Sequence, residues 1–126
     1  MEQRLFAAIN DCESMHDVLD IVKRLLKETK NGGHDRIGYV AGIISSDGPE
    51  HIAANFARLC QYSRAIRVRA EIPLISAGWV FPPDMFNRLN GAAMGEQFFY
   101  DFWEQVLRTG HITDMFFTPR WEVSNA

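Results

Sequence analysis

Cysteine is scarce in this chain: Cys12 and Cys60 are the two among 126 residues. Two thiols are too few for a disulfide framework and have no metal-ligand spacing, so they read as reduced thiols. Metal motifs are lacking as well. The histidines His16, His34, His51 and His111 share no ligand spacing, and neither HExxH nor CxxC occurs, so no metal is expected. No serine sits in a GxSxG elbow. No apolar run approaches the roughly 20 residues that cross a bilayer. The first ten residues, MEQRLFAAIN, lack the apolar core of a secretion signal. A soluble cytoplasmic protein without a membrane partner is expected. Excess positive charge is also missing: 13 Lys and Arg stand against 16 Asp and Glu, a formal net charge of -3. That excludes a general electrostatic pull toward nucleic acid polymers.

What is present suits one globular domain. The length is enough to bury a core, and 47% hydrophobic with 23% charged residues is ordinary for a globular chain. No repeat or low-complexity segment occurs.

The first third is helical. Leu5, Phe6 and Ile9 mark one side of a short helix over 2–10. Ser14 and Asp17 have capping-box spacing, with Asp in place of the usual Glu. Met15, Val18, Leu19, Val22, Leu25 and Leu26 then form one apolar stripe, and Asn31, Gly32 and Gly33 stop the helix. Residues 1–33 read as a helical extension that packs on the domain or pairs with a second subunit.

From residue 34 onward the pattern changes. RIGYVAGII (36–44) is a nearly continuous apolar run, as a strand buried on both faces requires. Ser45 to Pro49 break it, with Ser46 or Asp47 as a cap and Pro49 in the first turn of the next helix. That helix carries Ile52, Phe56, Leu59, Cys60 and Ser63 on one face and Arg58, Arg64 and Arg67 on the other. EIPLIS (71–76) is a second strand. A long Gly- and Pro-rich loop follows, with a helical turn after Pro82 and Pro83. A helix over 96–108 has Phe98, Phe99, Phe102, Trp103, Val106 and Leu107 on a broad apolar face. Gln97, Asp101, Glu104 and Arg108 lie on another. Gly110 ends it, and HITDMFFT (111–118) is a third strand.

Strands alternating with helices predict an α/β fold with a parallel sheet and right-handed crossovers. Ligands of such sheets bind at the carboxyl ends of the strands. Three loops gather there: Gly42–Gly48, Ser76–Phe86 and Pro119–Ala126. The first joins a strand to a helix N-terminus, where backbone N–H groups and hydroxyls hold a phosphate or a sugar hydroxyl; an ordinary connection reads the same way. Asp101, flanked by aromatics, is either a functional carboxylate or a solvated residue beside Gln97 and Arg108. Tyr39 is a core aromatic whose hydroxyl can reach the sheet end. Trp79 and Trp121 fall in loops, where an aromatic can stack on a base.

Four segments occur in a recognisable order: Tyr39-Val40-Ala41-Gly42-Ile43-Ile44-Ser45-Ser46, Asn55 to Ala65, Phe99-Tyr100-Asp101, and Thr118-Pro119-Arg120-Trp121-Glu122-Val123-Ser124. Together they resemble the nucleoside 2-deoxyribosyltransferase-like superfamily, whose small members read YxAGPxS, a helix with a conspicuous Asp, and a strand ending PGWxxSxGAxxE. The resemblance covers about residues 36–126. It implies a Rossmann-like (flavodoxin-like) parallel sheet with flanking helices for residues 34–126, below the N-terminal helical extension. It also implies cleavage or transfer of the N-glycosidic bond of a deoxynucleoside or nucleoside monophosphate, without a cofactor, in a homo-oligomer. Carried over by position, Tyr39 orients the catalytic carboxylate and Asp101 assists at base or sugar. Gly42, Ser45 and Ser46 form the sugar- or phosphate-facing loop, and Ser124 contacts sugar or phosphate. Trp79, Arg120 and Trp121 join the substrate-binding set.

Three positions depart from the family pattern. Ile43 replaces its proline, and Arg120 replaces the glycine before Trp121. The family's nucleophilic Glu would fall beyond Ala126, and Glu122 is not at the matching position; a C-terminal part is therefore expected to be missing, or the nucleophile to be lost. Two rival readings follow: a non-catalytic binder of a nucleotide-derived ligand, with Arg120 meeting phosphate, and an interaction module built on the Met15–Leu26 stripe.

Overall fold

The computed structural model describes residues 2–42, 49–82, 84–85 and 96–118. Helix α1 spans Glu2–Ile9 and α2 spans Met15–Asn31. The Ser14 hydroxyl caps α2 by accepting the Asp17 N–H at 3.2 Å. All six residues of the predicted stripe are buried, together with Thr29, whose hydroxyl donates to the Leu25 carbonyl at 2.7 Å. In α1, Leu5 and Ile9 are buried, but Phe6 is 61% exposed and does not share their face. One residue turns a helix by about 100°, and α1 packs only its Leu5–Ile9 side on the chain. The α2 stripe contributes to the chain's own core, so it is not an open face.

Strands β1 (Gly38–Ala41), β2 (Leu74–Ser76) and β3 (Asp114–Phe117) form a parallel sheet in the order β2-β1-β3. The strands are shorter than the apolar runs that predicted them. β1 and β2 are buried throughout, as the sequence requires, whereas β3 alternates: Met115 is 45% and Phe117 47% exposed. As an edge strand, β3 is covered on one face less than on the other.

Helix α3 (Ile52–Ala70) follows β1 and returns the chain to β2. It is entered through a 3-10 turn at Pro49–His51, and His51 makes no side-chain cap. The expected caps, Ser46 and Asp47, lie outside the described residues, as does most of the turn expected after Pro83. A short helix, α4 (Ala77–Val80), instead precedes the prolines. The Ser76 hydroxyl, in extended backbone, accepts the Gly78 N–H at 3.3 Å and so starts it. Ser63 and Ser76 share a buried hydrogen bond of 2.9 Å, and Ser63 donates to the Leu59 carbonyl at 2.6 Å, tying α3 to the end of β2.

Helix α5 (Glu96–Arg108) connects to β3 and ends at the predicted residue. Gly110, at φ 76, takes the left-handed conformation that ends it. Side chains alternate along β1, so Gly38, Val40 and Gly42 face one side and Tyr39 and Ala41 the other. A Cβ on Gly42 would touch Leu59 of α3, and Tyr39 stacks on Trp103 of α5 with ring centroids 4.6 Å apart. Helices α3 and α5 therefore cover opposite faces, and α2 lies beside α5. The chain is thus mixed α/β with a small parallel sheet and flanking helices. Among the described residues, no helix is long and apolar enough to cross a membrane.

Candidate functional site

The strand order fixes where a ligand site can form. From β1 the chain crosses to β2 over one face; from β2 it crosses back over the other face to β3. The carboxyl ends of β1 and β3 thus flank a point where the connections diverge, and such points leave a crevice open to ligands. Gly42 and Thr118 are the residues at this edge. The Thr118 N–H donates to the Ala41 carbonyl at 3.0 Å, extending the ladder by one step. Thr118 is 4% exposed, and its hydroxyl lies where a side chain on Gly42 would begin. Only a glycine lets β1 and β3 approach so closely there.

Asn55, in the first turn of α3, is 2% exposed, and its Oδ1 accepts from Arg58 Nη1 at 3.3 Å. The sequence does not single out this buried amide. Its signal was there: an Asn within the stripe Ile52, Phe56, Leu59. Thr118 was missed because it reads as the last residue of a strand.

Tyr39 is 3% exposed, on the α5 face of β1. Burial pushes its phenol well above the ordinary value of 10.0, so it stays protonated at physiological pH. Asp101, by contrast, is exposed, and its Oδ1 accepts from Gln97 Nε2 at 2.9 Å. It lies two residues before Trp103, the α5 residue that stacks on Tyr39. Two residues span about 200° of helix, so the Asp101 carboxylate projects away from Tyr39. The structure does not bring these two expected catalytic groups together. Trp79, expected in a loop, belongs to α4 and is 4% exposed. Arg67 stands 5.4 Å from its ring centroid, and the indole Nε1 is buried without a hydrogen-bond partner among the described residues. Its ring packs in the protein instead of facing a ligand. Ser45, Ser46, Arg120, Trp121 and Ser124 lie outside the described residues. Among the described residues, no group of three His, Cys, Asp or Glu is placed to hold a metal ion.

The amino-terminal end of the sheet carries charge of a different kind. Arg36 Nη2 donates to Asp114 Oδ2 at 2.5 Å, and Thr113 Oγ1 donates to Asp114 Oδ1 at 2.6 Å. The Arg36 hydrogen bond, followed by that of Thr113, holds the Asp114 carboxyl below its ordinary 3.8. Nearby, His111 is held below 6.5 by burial first, then by Lys30 and Lys27, and its Nδ1 is buried without a hydrogen-bond partner among the described residues. Both shifts have the same sign for stability. As pH falls, the unfolded chain takes up each proton before the folded one does. Thermal melts should therefore show stability declining below pH 6.5 through His111 and declining again below pH 3.8 through Asp114. His111→Gln should remove the first decline and leave the second. A first decline that survives in the variant would assign it to another group.

Compared with known proteins, the chain matches no family model, no curated protein and no solved structure.

Proposed function

We propose that this chain is a Rossmann-like protein that binds a nucleoside or nucleoside monophosphate in the crevice between the carboxyl ends of β1 and β3. The observation that carries this reading is the order β2-β1-β3 with α3 and α5 on opposite faces. It puts Gly42 and Thr118 at the divergence of the two connections. The segments leaving this edge contain Ser45 and Ser46 after β1, and Arg120, Trp121 and Ser124 after β3. Their chemistry suits a nucleotide: hydroxyls for sugar, a guanidinium fork for phosphate, an indole for the base. The resemblance in those same segments supports the ligand class.

Binding without turnover is the form of this reading that the geometry favours. Scission of an N-glycosidic bond needs a carboxylate at the anomeric carbon and help at base or sugar, and Asp101, expected in the second role, turns its carboxylate to solvent. N-glycosidic chemistry stays as a second reading because Tyr39 is a buried, protonated phenol at the position of the family's orienting tyrosine. One pair of assays separates them. Incubation with deoxynucleosides and their monophosphates, followed by chromatography for free base, should give no release. A thermal-shift series with the same compounds should raise the melting temperature. Base release would install the enzymatic reading; no shift with any compound would remove both.

A further inference from the structure

Charge is segregated along this chain in a way the ligand site does not use. Residues 5–22 contain four acids, Asp11, Glu13, Asp17 and Asp20, and no Lys or Arg. Helix α3 contains four arginines, Arg58, Arg64, Arg67 and Arg69, and no acid. The acids are exposed where α1 turns into α2, and Asp11, Asp17 and Asp20 line a shallow depression there. Asp20 meets His16 at 3.4 Å; Asp11 and Asp17 have no cationic partner among the described residues.

On α3, Arg58, Tyr62, Ile66 and Arg69 lie three or four residues apart and share the flank that faces β3. There, Tyr62, Ile66, Arg69 and Ala70 form a groove with Phe116 and Phe117, with a volume of about 280 Å³. Its lining is largely apolar, with Arg69 as its charge and exposed Arg58 one turn beyond Tyr62. Neither arginine meets a carboxylate among the described residues; Arg58 bonds the Asn55 amide.

Helix α3 covers one face of the sheet, and α2 lies with α5 on the other. In one molecule α1 packs on α4 and α2 on α5, and neither the acids Asp11 and Asp17 nor Arg58 and Arg69 form an ion pair with each other among the described residues. We propose that they meet between molecules: the α1–α2 corner of one copy docks into the α3–β3 groove of the next, with Asp11 and Glu13 facing Arg58 and Arg69. The contact is head-to-tail, so it builds a ring where the rotation closes and a filament where it does not. This goes beyond the ligand reading and does not depend on it.

Analytical ultracentrifugation of the whole chain tests it. At about 0.02 M salt the weight-average mass should rise with concentration above 14.4 kDa, and association should weaken at least roughly tenfold at about 0.5 M salt. The pair Arg58→Glu with Arg69→Glu should be monomeric, and so should the pair Asp11→Lys with Glu13→Lys. Mixed in equal amounts, the two double variants should associate again, because each restores an opposite-charge contact. Circular dichroism melts confirm that both variants fold. A wild-type chain that stays monomeric at low salt up to its solubility limit overturns the proposal, whether the groove serves an acidic segment of another protein or nothing. So does an associated wild type whose mass neither double variant lowers, or a mixture that fails to associate.

Discussion

Replacing Phe81 with alanine is expected to cost about 3–5 kcal/mol of stability, the range for emptying a fully buried aromatic site. Phe81 is 1% exposed just after α4, and its ring meets three rings of α5 edge-on. Centroid distances are 5.4 Å to Phe99, 4.8 Å to Phe102 and 6.2 Å to Trp103. Trp103 in turn stacks on Tyr39, so Phe81 links the segment after β2 to the helix over β1. The three surrounding rings are all anchored on α5, which limits collapse into the cavity. For a chain of this size the melting temperature should fall by roughly 10–20 °C. The near-ultraviolet dichroism of Trp103 should weaken with it. Phe98→Ala is the comparison: Phe98 is half-buried and meets Phe99 at 5.6 Å, so its loss should be clearly smaller. Equal losses at the two positions would show that Phe81 has no special anchoring role.

Gly42→Ala should cost about 1–3 kcal/mol, for the opposite reason: it adds volume where none is free. The new Cβ would overlap the Thr118 hydroxyl and stand 3.1 Å from Leu59 Cδ1 and 3.2 Å from Thr118 Cγ2. Removing the obstructing atoms should undo the damage. Gly42→Ala combined with Thr118→Ala should therefore lose less than the sum of the single changes, a coupling that a double-mutant cycle in urea measures directly. Strict additivity would mean that β1 and β3 do not approach at this edge as described.

Much of the fold is legible in the sequence where one physical signal dominates. The end of α5 follows from an unbroken 3.6-residue aromatic pattern closed by Gly110, and the α2 stripe follows from Ser14 and its periodic apolar residues. A four-residue helix such as α4 has no period to read. Its single signal, Ser76 two residues before Gly78, is submerged in a Gly- and Pro-rich stretch. Phe6 was misplaced because neighbouring apolar residues on a short helix resemble a common face until packing chooses among them.

The site was legible in kind and less so in detail. Strand and helix order placed Gly42 at the sheet's carboxyl edge. The sequence could not tell that Asp101 and Trp103 point to opposite sides relative to β1, because that depends on which stripe of α5 meets the sheet. Asn55 and Thr118 each resemble an ordinary part of a helix start and of a strand end, and only their burial sets them apart.

The most direct test of the central claim, a nucleotide-derived ligand at the β1–β3 edge, is an amide chemical-shift titration of the isotope-labelled protein with deoxynucleoside monophosphates. The account predicts saturable shifts centred on Gly42, Thr118 and the first turn of α3 at Asn55, with α1 and the amino-terminal end of the sheet at Asp114 unmoved. Shifts confined to α1 and α2, or none at any ligand concentration, would contradict it.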